Sequence, residues 1–127
     1  MPKSTRVRDG IAHIVWSGTF DRVGVTESLQ SVEKVLETQK PISILIKNDV
    51  EVFNFNATDA RQVAFRLEAL QRGGVLRTCM IVNKPVHYGI GRMINAFCEM
   101  SGVPFEIFWD EESALLWLHN GNTNEPE

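Results

Sequence analysis

A chain of 127 residues, 43% hydrophobic and 23% charged, can close one core and lies outside the composition of disordered chains. Its net charge of -3, with dispersed basic residues, gives no field that would hold nucleic acid or anionic lipid. The opening MPKSTRVRDG lacks the apolar stretch of a signal peptide and no run approaches a membrane span, so a cytoplasmic protein without stable membrane insertion is expected.

Thr5 to Arg8 alternates, Asp9-Gly10 is a favoured hairpin dipeptide, and IAHIVWSG resumes as an apolar strand, which predicts an antiparallel hairpin. Gly18 through Gly24 breaks the pattern. A first helix is predicted over Val25 to Gln39, where Val25, Leu29, Val32 and Leu36 recur on one face, and Lys40-Pro41 stops it. ISILIK is the next strand, bounded by Pro41 and Asn48-Asp49. The segment VEVFNFNATD reads either as an extension of the sheet or as a loop anchored by Phe53 and Phe55. A second helix follows from Thr58 or Asp59 to Arg72, started by Asn56 with Asp59 or by Thr58 alone, and ended by Gly73-Gly74. Its inner face carries Val63, Leu67 and Leu70.

VLRTCMIV is a strand closed by Asn83-Lys84-Pro85. The third helix spans His87 to Met100, with Ile90, Met93, Ile94 and Phe97 as its buried stripe. FEIFW is the last strand. Asp110 caps a short helix through His119 that turns Ala114, Leu115 and Leu118 inward, and residues 120–127 read as a flexible polar tail. The order implies a single α/β domain over residues 1–127: a mixed five-stranded sheet with an N-terminal hairpin and about four helices. If the strands lie in chain order, the crossover helices share one face. The opposite face must then tolerate solvent, be covered by Val50–Phe55, or meet a partner.

The stretch TCMIVNKPVHYGIGRM, Thr78 to Met93, carries the best candidate site. A strand there hands over to a helix that sets His87, Tyr88 and Arg92 near its opening turns, the crevice where α/β proteins bind ligands. Tyr88 and Arg92 are one helical turn apart, and free amides plus a guanidinium suit a carboxylate or phosphate. The structural alternative packs Tyr88 on the preceding strand and ties Arg92 to a carboxylate. Gly89 and Gly91 do not form a dinucleotide fingerprint; close helix–strand approach accounts for them. Cys79 and Cys98 read as core thiols, and His13, His87 and His119 are too scattered for a metal. Asp59 and Asp110 have helix-start explanations, and no nucleophile elbow is present, so neither an enzyme nor a cofactor is expected.

With IVWSGTF, the strand after Pro41, PVHYGIGRM and IFWDEESALLWL in this order, the chain resembles the SpoIIAA-like family. That family is related in fold to the STAS domains of anti-sigma-factor antagonists and anion-transporter tails. The resemblance implies a STAS-like fold and a non-enzymatic regulatory or protein-interaction module. Antagonists of this kind carry a phosphorylated serine after an aspartate at the start of their second long helix. NATDARQV stands here instead, leaving Thr58 as the nearest hydroxyl. The expected partner is another protein or a second copy, with Phe53 and Phe55 as interface anchors or as core residues. The alternative is a small anionic or amphipathic ligand, lipid-like or nucleotide-like, at His87, Tyr88 and Arg92.

Overall fold

The computed structural model describes residues 5–122; Met1–Ser4 and the end of the expected tail, residues 123–127, lie outside it. Nine elements follow one another: β1 (Arg6–Arg8), β2 (Ile11–Phe20), α1 (Arg22–Leu36), β3 (Ile42–Phe53), α2 (Ala57–Arg72), β4 (Val75–Ile81), α3 (Pro85–Ser101), β5 (Phe105–Phe108) and α4 (Glu111–Asn122). The strands lie in chain order in one sheet. β1 pairs antiparallel with β2 through the turn at Asp9-Gly10, where both residues have positive φ as a tight hairpin requires. The other three pairings are parallel. The single α/β domain with a mixed five-stranded sheet and four helices is thus as the sequence predicts.

Side-chain alternation divides the core. Ile14, Trp16, Ile44, Ile46 and Met80 face α1, α2 and α3 in the larger cluster, whereas Ile11, Leu45, Cys79 and Ile81 meet α4 on the other side. The second face of the sheet is therefore covered by α4 across β3, β4 and β5, and not by Val50–Phe55. Arg77 fastens that helix: its guanidinium lies 4.6 Å from the centre of the Trp117 ring, and its Nη1 donates to the Trp117 carbonyl at 2.7 Å. Asp110 starts α4 as expected, accepting from Ser113 N at 2.8 Å. The helix continues through residues 120–122, which the sequence assigned to the tail.

Other boundaries differ from expectation as well, α1 ending at Leu36 and α3 starting at Pro85 among them. β2 continues past Gly18 to Phe20 because a register shift at Gly18/Thr19, with Gly18 at φ +70°, absorbs the break. Asp21 then caps α1 by accepting from Gly24 N at 2.9 Å, so the helix begins before Val25. β3 runs through Asn48-Asp49 as one strand of 12 residues. Asn48 is buried in it, and its side chain is satisfied by accepting from Val50 N at 3.2 Å and donating to Met80 Sδ at 3.5 Å. A residue type that usually ends strands is tolerated here because its amide finds local partners.

Candidate functional site

Parallel strands and short connections bring the carboxyl ends of β3, β4 and β5 to one edge of the domain, next to the first turn of α3. Pro85 opens this helix at its first position, where its missing N–H costs nothing, and Lys84 supplies no side-chain cap. Three residues were expected to meet here, and the structure separates them. His87 is fully buried. Its Nε2 donates to the Val50 carbonyl at 2.9 Å, its Nδ1 accepts from Asn83 N at 3.4 Å, and its ring packs on Phe53 with centroids 5.5 Å apart. With both nitrogens engaged inside the core, His87 ties α3 to β3 and presents nothing to a ligand.

Tyr88 and Arg92 stay on the surface. Tyr88 stacks on Trp109 with ring centroids 5.7 Å apart and planes 20° from parallel, and the two residues are 38% and 53% exposed. Arg92 is exposed and makes no ion pair among the described residues. The strand-to-helix corner thus carries an open aromatic pair and, one turn along α3, a guanidinium. Trp109, read from sequence as the end of a strand, supplies half of this pair from the turn before α4. Gly91 behaves as expected: a Cβ there would lie 2.9 Å from Ile107 Cδ1, so glycine permits the close seat of α3 on β5. Gly89 differs, with nothing within 4 Å of its Cβ position.

Phe53 and Phe55 are half-buried. Both rings contact Phe20, at 5.9 and 4.5 Å between centroids, and Phe20 in turn contacts Trp16 at 4.8 Å. Their surfaces are largely spent on closing this aromatic cluster above the larger core. Thr58 lies on the surface at the second position of α2. The capping task belongs to Asn56 and Asp59, which exchange backbone-to-side-chain bonds at 3.0 Å each, so the Thr58 hydroxyl is not the cap.

A further apolar opening lies elsewhere. A groove of about 920 Å³ runs over α2 toward the end of α3, with Phe65, Phe97 and Met100 as its apolar lining and Thr58, Arg61 and Arg66 among its polar residues. Phe65 and Met100 are 69% and 81% exposed, the most exposed large apolar side chains described. Sequence reasoning passed over both. The signal was available for Phe65, because it falls two residues from Val63 and Leu67 and hence on the side of α2 opposite its buried stripe.

Cys79 and Cys98 are buried on opposite sides of the sheet, and burial pushes each thiol up to about 12. Among the described residues no three of the His, Cys, Asp and Glu side chains converge as a metal site, and no helix is long and apolar enough to cross a membrane. No family model matches the chain, and no curated protein matches it closely enough to indicate kinship.

Proposed function

We propose that this protein is a non-enzymatic regulatory or interaction module of SpoIIAA-like, STAS-related type, whose working surface is the groove over α2 and the end of α3. One observation carries the reading: the two most exposed large apolar side chains among the described residues, Phe65 and Met100, line the same groove. Clustered apolar exposure of this kind favours a protein partner, because covering it removes apolar area from water. Thr58 and Arg61 border the same groove, so phosphorylation of Thr58 would place new charge on the contact surface beside a guanidinium. The cytoplasmic assignment belongs to the same reading.

The test is photocrosslinking inside cells from a reactive side chain at position 65, with exposed Val15 as the control position. A discrete protein adduct from position 65, and loss of the purified interaction with Phe65→Asp, is the expected result. Equal, diffuse labelling from both positions would remove the support for this surface. Mass spectrometry of the native protein across growth conditions tests Thr58 modification.

A second reading rests on the Tyr88–Trp109 pair, which offers a flat face to a small amphipathic ligand while Arg92 holds its acidic group. Under it, Trp109→Ala and Arg92→Ala both weaken a ligand found by unbiased screening. Unchanged affinity in both variants would remove this site.

A further inference from the structure

Residues on the outer side of α2 are ordered in a way that complements itself. Thr58, Arg61, Phe65, Glu68 and Arg72 follow one another at spacings alternating between three and four, the seam pattern by which one helix lies along another. Phe65 is the apolar centre. Arg61 and Glu68 stand one heptad apart, so they share a flank of the helix on either side of it. The adjoining Ala69 is exposed and small enough to allow close approach.

Guided by this order, we infer that the groove is covered by a second copy of the chain, packed α2 against α2 in antiparallel fashion about a two-fold axis at Phe65. This rests on the interaction reading above. An antiparallel two-fold brings like flank against like flank. Arg61 of each copy then stands level with Glu68 of the other, and two equivalent ion pairs enclose a central contact between the two Phe65 rings. Met100 and Phe97 extend the apolar lining toward α3. Within one chain Glu68 already meets Arg72, with Nη1 3.5 Å from the carboxylate, and that pair holds the acid on the outer surface where the second Arg61 reaches it. An unrelated partner would not require the order basic, apolar, acidic to be complementary in charge to its own reversal along the helix. A second copy does.

Light scattering behind size-exclusion chromatography, from low micromolar to near-millimolar protein, tests this together with a charge exchange. The wild type is expected to pass from monomer to dimer with concentration. Phe65→Asp and Arg61→Glu should each weaken dimerisation by about tenfold or more. The double variant Arg61→Glu/Glu68→Arg should recover part of what Arg61→Glu loses, because it restores both interchain pairs with their signs exchanged while giving up the pair with Arg72. Arg61 and Phe65 are exposed and Glu68 is half-buried, and circular dichroism checks that the variants fold. A monomer across the whole range, a dimer indifferent to Phe65→Asp, or a double variant no better than Arg61→Glu would each overturn the inference. A monomer that still gives a specific heterologous adduct from position 65 would overturn the second copy as occupant and leave the interaction reading standing.

Discussion

His87 Nε2 sits 2.9 Å from the carbonyl oxygen of Val50, a contact that joins the first turn of α3 to the middle of the β3 continuation. The carbonyl belongs to a residue that is itself 1% exposed, so removing the imidazole takes away its partner inside the core. His87→Ala is expected to lower folding stability by roughly 2–4 kcal/mol, from the cavity and the orphaned backbone groups together. Denaturant unfolding measures it, and a loss below half of that range would show that the ring is replaceable.

The two glycines of α3 predict opposite signs. At Gly91 a methyl group meets Ile107 at 2.9 Å, and Gly91→Ala should destabilise by roughly 1–3 kcal/mol as β5 and α3 are pushed apart. At Gly89 the space is open and the backbone helical, so Gly89→Ala should stabilise by roughly 0.5–1 kcal/mol. Thermal unfolding of the two single variants gives both signs in one experiment.

At the start of α2 the capping geometry separates two hydroxyl- and amide-bearing residues. Asn56→Ala removes the acceptor for Asp59 N and should cost roughly 0.5–2 kcal/mol. Thr58→Ala, at an exposed position outside the cap, should change stability by less than about 0.5 kcal/mol. Equal losses in the two variants would return the capping role to Thr58.

The buried thiols make stability fall in alkali. Both cysteines ionise near 9.0 when unprotected and only at about 12 in the fold. Between these values the unfolded chain holds fewer protons than the folded one, so stability is complete below pH 9 and declines as pH rises toward 12. Replacing both by alanine should flatten that decline relative to wild type, whatever other groups titrate there. Neither thiol should react with a thiol-labelling reagent in the native protein, and both should react after denaturation.

Much of this architecture is written locally. The Asp-Gly turn, the apolar spacing in α1 and α2, the capping pair Asn56 and Asp59, and Asp110 ahead of α4 all act within a few residues, and each is present in the structure where the sequence places it. Of the stripe expected for α3, Ile90 and Ile94 are buried as predicted, and the rest of the buried face is different. His87, Ile90, Gly91, Ile94 and Cys98 face the core, while Met93 and Phe97 lie at its margin. A polar ring at the head of an apolar series is legible as core only once a partner for its nitrogens is known, and that partner, Val50, is 37 residues away.

The order of elements, the parallel crossovers and the α/β class are legible without coordinates, because periodicity and capping depend on near neighbours. Packing in three dimensions is what sets α4 over the second sheet face, spends His87 on the backbone while Tyr88 finds Trp109, and brings Phe65 and Met100 into one groove. These relations depend on which distant side chains share a surface after packing. Separation along the chain says nothing of that until the sheet order and the seat of each helix are set.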